Sequence, residues 1–236
     1  MEYTDKEYCL ELRGDFACFT RPEMKVERVS YDVITPSAAR NIFQAIFWKP
    51  AIRWEITRIE VLNPIKRFSI RRNEVASAMS PRASHLLIEE HRTQKTAYIL
   101  RDVAYRVFAK LVFIPIRDRT DEEKARVTDP QHENPMKYQQ IFERRAEQGQ
   151  CFTQPYLGCR EFSCSFEWIP NAPYGQGIPE SRNLGYMLYD LDFAGNPRSP
   201  QPMFFKGGKT KSTRLVESGE VDKSLCYSRM RAIFSS

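Results

Sequence analysis

The stretch from Thr35 to Pro50 constrains the fold more than any other part of the chain, because both of its ends carry helix signals. Thr35 suits the N-cap, and Pro36 suits the first helical position, where no amide donor is needed. Pro50 cannot continue a helix and restricts the residue before it. We therefore expect a helix from about Pro36 to Trp48. Apolar residues at helical spacing predict that its buried face is made of Ala39, Ile42, Phe43 and Ile46.

Alternating apolar and polar residues predict strands on both sides of this helix. The pattern occurs in residues 8–12, 52–65 and 96–116, and a shorter run covers residues 162–169. The polar stretch 71–95 lies between two of these runs, and we interpret it as a basic loop.

A second helix is predicted where Asn134 and Pro135 repeat the combination of cap and proline. Ile141, Phe142 and Ala146 form its apolar stripe, and Gly149 is a plausible end.

The order strand, helix, strand, strand, helix, strand is typical of the α+β class and of its ferredoxin-like, or RRM-like, βαββαβ arrangement. Beyond about Asn171, proline and glycine cluster, and short apolar runs lie between turn signals. The sequence thus predicts a ferredoxin-like domain in residues 1–170. A small antiparallel β-rich C-terminal appendage is predicted in residues 171–236.

Positive charge is concentrated in two segments of a chain whose net charge is +6. Residues 64–82 hold five cations and one acid, and residues 201–236 hold seven cations and three acids. Such segments, mixed with aromatic residues, suit a polyanion such as nucleic acid, although solvated loops would look the same. The candidate contacts are Arg71, Arg72, Lys206, Lys209 and Lys211.

Several classes of protein are disfavoured by the sequence. No uncharged apolar run approaches ~18 residues, so we expect no membrane span. Charged residues near the start precede any apolar run, and the six cysteines show no regular framework. These features predict a cytoplasmic protein with reduced thiols.

Metal and cofactor sites are not indicated. The histidines, His85, His91 and His132, do not match a zinc template. Asp190 and Asp192 are two acids on one predicted strand, which more often face solvent. The run 207–210 contains a Lys-Thr pair but lacks the leading glycine of a phosphate-binding loop. We expect neither a metal nor a cofactor.

Lys137 lies in the first turn of the helix that Asn134 caps. A cation is disfavoured at this end of a helix dipole, unless a phosphate binds there. The alternative is an exposed lysine that tolerates a penalty of about 0.3–1 kcal/mol. The residues alone leave both interpretations open.

Four segments of the chain resemble one known family. They are Phe47-Trp48-Lys49-Pro50, residues 29–38 (VSYDVITPSA), residues 12–16 (LRGDF) and residues 156–162 (YLGCREF). The chain is similar to the CRISPR-associated RNA-processing proteins of type I-C systems, the fifth Cas family in its Dvulg subtype. That family carries a tyrosine followed by Trp-Lys-Pro near its first helix.

The resemblance implies a metal-independent endoribonuclease that cuts CRISPR repeat transcripts into guide RNAs. The 2′-hydroxyl attacks and leaves a cyclic phosphate, and the product stays in a surveillance complex with other Cas subunits. The family pairs a Lys-His dipeptide on the second helix with the tyrosine before Trp-Lys-Pro. Lys137 keeps the lysine, whereas Tyr138 replaces the histidine and Phe47 replaces the tyrosine.

These replacements change the chemistry that the site can perform. Lys137 can stabilise charge on a phosphate. Phe47 cannot transfer a proton, although its ring could stack on a base. An ordinary phenol with a pKa near ~10 makes Tyr138 a poor base, unless a nearby lysine lowers that pKa. His132 is a possible substitute base.

Further nucleic-acid contacts are expected around the first helix. Arg40 on its polar face and Lys49 at its end can reach phosphates, but either can also be an ordinary surface residue. Trp48 fits a stacking platform as well as it fits the core, whereas Trp54 is expected in the core.

Two other functions remain open. The same fold could hold the guide RNA handle as a structural subunit without cutting it, with general affinity for nucleic acid that includes duplex DNA. A small-molecule enzyme has no cluster of residues to support it.

Overall fold

The computed structural model describes residues 6–24, 26–82, 84–125, 127, 133–179, 184–192 and 201–206. His132, Lys209 and Lys211 lie outside the described residues. In chain order the elements are β1 (Glu7–Ala17), α1 (Pro36–Ile46), β2 (Ile52–Val61), β3 (Lys66–Val75), α2 (Ile88–His91), β4 (Arg92–Phe113), a 3-10 turn (Ile116–Asp118), α3 (Asp121–Ala125), α4 (Pro135–Glu147), β5 (Ser165–Trp168), β6 (Tyr186–Asp192) and β7 (Gln201–Lys206).

The two predicted caps are confirmed. The side-chain oxygen of Thr35 accepts a hydrogen bond from the amide of Ala38 at 3.3 Å. Asn134 caps α4 in the same way, through a bond of 2.9 Å from the amide of Met136. Helix α1 ends earlier than expected, because Phe47 already has an extended backbone with φ −155° and ψ 125°. After α4, Gly149 adopts a φ of +64°, which suits the predicted helix end.

The larger sheet in the described part of the chain has the order β2-β4-β1-β5, and all neighbours are antiparallel. Strand β4 spans 22 residues and is the longest of these strands. Its second half pairs with β1 and β2, while its first half also pairs with β3 over Arg92–Arg101. The mixed α/β character and the antiparallel sheet agree with the expectation from the sequence.

The interpretation of residues 71–95 as a loop is wrong for much of its length. Residues 66–75 form β3 and pair with residues 92–101, and we call this two-stranded element the basic ribbon. Strand β3 is exposed or half-buried along its whole length, whereas Ala97, Ile99 and Leu100 on the β4 strand of the ribbon are buried. Residues 71–75 therefore lack the apolar alternation that marks a half-buried strand. Backbone pairing holds the outer part of the ribbon together, while Ala97 and Ile99 anchor its base in a small buried cluster with Cys18 and Cys159.

Helices α1 and α4 pack on one face of the larger sheet around a cluster of aromatic rings. The ring of Trp54 lies 4.6 Å from that of Phe142 on α4 and 4.9 Å from that of Phe43 on α1. Tyr8 on β1 completes the cluster at 4.8 Å from Phe142. Trp54 is therefore a core residue, as predicted. This cluster fixes the distance between the two helices.

The opposite face of the sheet is covered by the segment 169–179. Glu60, fully buried on β2, accepts hydrogen bonds from the backbone amides of Gly175 and Gln176 at 2.7 and 3.2 Å. The Arg58 guanidinium lies 4.0 Å from the ring of Tyr174 in the same segment. Amide donors therefore satisfy a carboxylate that burial would otherwise make costly.

Strands β6 and β7 form a separate antiparallel pair. This pair contacts α1 through a two-pronged ion pair between Arg40 and Asp190. No helix in the described part of the chain combines the length and the apolar character needed to cross a membrane.

Candidate functional site

A groove of about 1290 Å³ runs between the end of α1 and helix α4, from Lys137 in the first turn of α4 to Arg145 in its last turn. The two helices are linked there by a hydrogen bond of 3.0 Å from Arg145 on α4 to the carbonyl oxygen of Ile46. The charged and aromatic residues that line the groove are Phe47, Trp48, Lys49, Arg119, Glu123, Glu133, Lys137, Tyr138, Arg145, Phe152 and Tyr156. The structure therefore brings together all three residues predicted for catalysis.

Lys137 is exposed and lines the groove from the first turn of α4. The backbone there offers few free donors, because Pro135 has no amide hydrogen and Asn134 already accepts from the next two amides. Met136 donates to the Asn134 side chain at 2.9 Å, and Lys137 donates to the Asn134 carbonyl at 3.0 Å. An anion in this place would therefore meet the Lys137 ammonium rather than free helix amides.

Tyr138 is held in a network that keeps its phenol protonated. Its hydroxyl donates to Oε1 of Glu133 at 2.9 Å, and Glu133 also forms an ion pair with Arg119. Burial and the hydrogen bond to the Glu133 carboxylate raise the pKa of Tyr138 to about 12. The hypothesis that a lysine lowers this pKa is not supported. Tyr138 is a neutral donor at pH 7 and cannot serve as a base.

Glu133 is the centre of this network. Burial favours a higher pKa for its carboxyl group, but the hydrogen bonds from Arg119 and Tyr138 outweigh this effect and lower the pKa below 4.5. Arg119 also donates through Nε to the carbonyl of Ile114 at 3.0 Å. The network thus ties the segment before α4 to the end of β4.

Phe47 occupies the core rather than an accessible stacking position, because its side chain is only 2% exposed. Its ring centroid lies 6.2 Å from that of Tyr138 and 5.4 Å from the Arg145 guanidinium. The idea that this ring stacks on a base therefore does not fit the structure. The Phe47 ring instead packs beside the Tyr138 ring and the Arg145 guanidinium, on the core side of the groove.

Trp48 and Lys49 project from the end of α1 beside the groove, and Trp48 is 48% exposed. The open question about Trp48 is thus answered in favour of an accessible ring. Phe152, which was not expected from the sequence, lines the same groove and is 86% exposed. The one feature of the sequence that could have indicated it is an aromatic residue shortly after the predicted helix end at Gly149.

The other predicted contacts lie elsewhere. Arg40 is paired with Asp190, and Arg72 on the basic ribbon is paired with Glu74 and Glu161. Both guanidinium groups are bound by carboxylates within the chain, so neither is free to bind a phosphate. Arg71 is exposed on the ribbon. Lys206 ends β7.

Gly158 shapes one wall of the groove. Its φ is +86°, and a Cβ atom placed on it would lie 2.0 Å from the carbonyl oxygen of Cys18. Only glycine can therefore bring the segment 156–162 this close to the chain after β1.

Metal ligands are not grouped in the described ranges. No set of three His, Cys, Asp or Glu side chains there is placed to hold a metal ion. Asp190, a candidate ligand, is bound by Arg40.

The chain matches the Cas5d family model, described as CRISPR-associated protein (Cas_Cas5), over residues 7–213. The chain belongs to the Cas5d family. Within that family it is 47% identical over 216 residues to the CRISPR pre-crRNA endoribonuclease Cas5d of Mannheimia succiniciproducens, with 84% of this chain and 88% of the relative covered. It is 43% identical over 199 residues to the protein of the same name from Thermus thermophilus, with 83% of this chain and 78% of the relative covered.

The fold is also found among solved structures. A crystal structure of a CRISPR-associated protein aligns with a TM-score of 0.62 at 24% identity, covering 94% of this chain and 97% of that one. The resemblance inferred from the motifs is thus confirmed by the family match and the curated relatives, and the structural likeness shows that the fold is shared with a solved protein.

Proposed function

We propose that this Cas5d protein is an endoribonuclease that cleaves CRISPR repeat precursor RNA. The curated relatives at 47% and 43% identity are named pre-crRNA endoribonucleases, which supports the activity. The observation that carries the proposal is the exposed Lys137 in a groove between two helices, next to Tyr138. The product guide RNA then stays bound, together with other Cas subunits.

We infer a ferredoxin-like arrangement for residues 1–170. The order β5-β1-β4-β2 with antiparallel neighbours is the order expected when two βαβ units interleave, with β3 as an insertion. Residues 171–236 would then be the C-terminal appendage, and the β6–β7 pair supports this division. Through Gly175 and Asp190, the appendage would also contact the first domain.

The proposed reaction is transfer of the phosphodiester to the adjacent 2′-hydroxyl. The 2′-oxygen attacks in line and its proton passes to water, while the bond to the 5′-oxygen breaks and that oxygen takes a proton from water. The products are a 2′,3′-cyclic phosphate and a free 5′-hydroxyl. Lys137 stabilises the negative charge that grows on the phosphate oxygens. Tyr138 keeps Glu133 and the start of α4 in place, and its neutral hydroxyl acts as a positioning group. Phe47 supports Tyr138 from the core.

Affinity comes from cations outside the reacting centre. Arg71 on the basic ribbon and Lys49 beside the groove are exposed and suit phosphate contacts. Trp48 offers an accessible ring. Lys206, Lys209 and Lys211 remain predicted contacts, as does affinity for duplex DNA.

Purified protein incubated with its own repeat RNA in EDTA tests the proposal. We expect one discrete cut and a cyclic phosphate at the new 3′ end. A 2′-deoxy substitution at the nucleotide before the cut should abolish the product, because the nucleophile is then missing. Cleavage that needs added divalent metal, or that survives the 2′-deoxy substitution, would contradict the proposed reaction.

A second candidate is a subunit that holds the guide RNA handle without cutting it. Among the described residues that line the groove there is no histidine or cysteine, and the pKa of Tyr138 is raised to about 12. A general base with a pKa near neutrality is therefore missing from this set. Tight binding of uncut repeat RNA in the same assay would support this candidate.

A further inference from the structure

Phe152 is the most exposed of the large hydrophobic side chains in the described ranges, at 86%. An isolated apolar residue on a surface needs no explanation, but this one lines the groove that contains Lys137. It follows α4 and its terminal turn, on the part of the groove formed by the ends of both helices. Nothing in the proposed reaction uses it.

The backbone around Phe152 is anchored to α1. Its amide donates to the carbonyl oxygen of Ala45 at 2.7 Å. Two residues earlier, the amide of Gln150 donates to the carbonyl of Arg145 at 2.8 Å. The aromatic ring is thus presented from a fixed backbone that costs little entropy to order on binding.

Arg145 supplies a cation next to this segment. One of its Nη atoms donates to the carbonyl of Ile46 at 3.0 Å, and the guanidinium lies 5.4 Å from the ring centroid of Phe47. Among the described residues, Arg145 forms no ion pair with a carboxylate. Its remaining N–H groups can therefore donate to an anion in the groove.

We propose that Phe152 and Arg145 form a nucleotide subsite, in which an unpaired base stacks on the Phe152 ring and a phosphate binds the Arg145 guanidinium. The proposal rests on the proposed function, since it places single-stranded RNA in the same groove. Arg145 lies eight residues after Lys137 on α4, which separates them by about 12 Å along the helix axis. The stacked nucleotide is therefore a different one from the nucleotide that is cut.

Charge favours RNA as the occupant rather than an apolar protein segment. Four cations (Lys49, Arg119, Lys137 and Arg145) and two carboxylates (Glu123 and Glu133) line the groove, so its charged residues sum to +2, and Glu133 is already paired with Arg119. A base offers a flat ring and carries a phosphate, so one nucleotide satisfies both the aromatic and the cationic group. Stacking does not read hydrogen-bonding edges, so the subsite should accept any base.

An abasic scan tests the subsite. Repeat RNAs that each lack one base near the cut are titrated against the wild-type protein and against Phe152→Ala, Phe152→Leu and Val26→Ala. With wild type, we expect one unpaired position whose missing base weakens binding roughly 5- to 150-fold. Phe152→Ala should weaken binding of the intact RNA by a similar factor. In this variant, removing the base at that position should weaken binding no further. Phe152→Leu should resemble alanine because it lacks a ring, and the distant exposed Val26 should have no effect.

The subsite would be overturned if, at every position, the losses of RNA affinity caused by base removal and by Phe152→Ala simply added. Unchanged RNA binding by Phe152→Ala together with weakened assembly with other Cas subunits would also overturn it, and would assign the ring to a protein contact. Binding and cutting are scored separately. If base removal at one position and Phe152→Ala are non-additive but the RNA is not cut, the subsite is supported and the nuclease function is contradicted. If the RNA is cut but the two losses are additive at every position, the nuclease function is supported and the subsite is contradicted.

Discussion

Replacing Glu133 with alanine leaves Arg119 without its carboxylate partner. The Arg119 side chain is 1% exposed, and that of Glu133 is 17% exposed. Removing one partner of a fully buried ion pair costs about 3–5 kcal/mol. The partial exposure of Glu133 reduces this, so we expect a loss of about 2–4 kcal/mol. For a chain of this size the melting temperature should fall by about 5–15 °C.

Thermal unfolding followed by circular dichroism measures this loss. Glu55→Ala is the matched control, because Glu55 accepts from Arg53 at 2.6 Å while both side chains are exposed, at 47% and 59%. An exposed pair should contribute less than about 1 kcal/mol. Equal shifts for the two variants would refute the argument that burial of Arg119 makes the network important.

The same variant has a defined dependence on pH. Because the folded pKa of Glu133 lies below 4.5, its ionised form stabilises the fold above that pH. The stability gap between wild type and Glu133→Ala should be constant near neutrality and shrink as pH falls through the folded pKa. A gap that widens on acidification would contradict the assigned ion pair.

Three further predictions concern RNA. Tyr138→His replaces a phenol whose pKa is about 12 by an imidazole whose ordinary pKa is ~6.5. The single-turnover cleavage rate at pH 7 should rise by about 10-fold or more. An unchanged rate would show that the site does not lack a base. Arg40→Ala should speed amide exchange in β6 but leave the salt dependence of RNA binding unchanged, whereas a smaller salt slope would make Arg40 a phosphate contact. The slope of log RNA affinity against log salt should be about −3.5 for wild type, and Arg71→Ala should reduce its magnitude by about 0.7. A flat salt response in wild type would exclude the basic segments as the binding surface.

Local signals in the sequence predicted the parts of the fold that depend on neighbouring residues. Thr35 and Asn134 cap their helices as expected, because a cap is decided within three residues. The outer part of the basic ribbon, residues 71–75 and 92–95, was missed because it is polar and contains no buried residue, so it has no apolar period. Its pairing depends on β4, about 25 residues further along the chain.

Three residues of the groove were named from the sequence as catalytic candidates, whereas Glu133, Arg119 and Phe152 were not named and the electrostatics of the groove was not predicted. Phe47 and Lys137 were brought together by a family resemblance, and the groove contains both. The direction of the Tyr138 pKa shift could not be predicted from the sequence. It depends on a hydrogen bond from the Tyr138 hydroxyl to the carboxylate of Glu133, which precedes α4. Whether Arg40 is free or paired depended equally on Asp190, which lies 150 residues away.

The proposed reaction depends on the Lys137 ammonium, which stabilises the phosphate at which the RNA is cut. The most direct test is the single-turnover cleavage rate of Lys137→Ala, with RNA affinity measured in parallel. Lys110→Ala is the control, since Lys110 is exposed on β4 and does not line the groove. We predict a rate roughly 100- to 1,000-fold lower for Lys137→Ala, with affinity within about threefold of wild type. A Lys137→Ala rate equal to that of Lys110→Ala would contradict the claim.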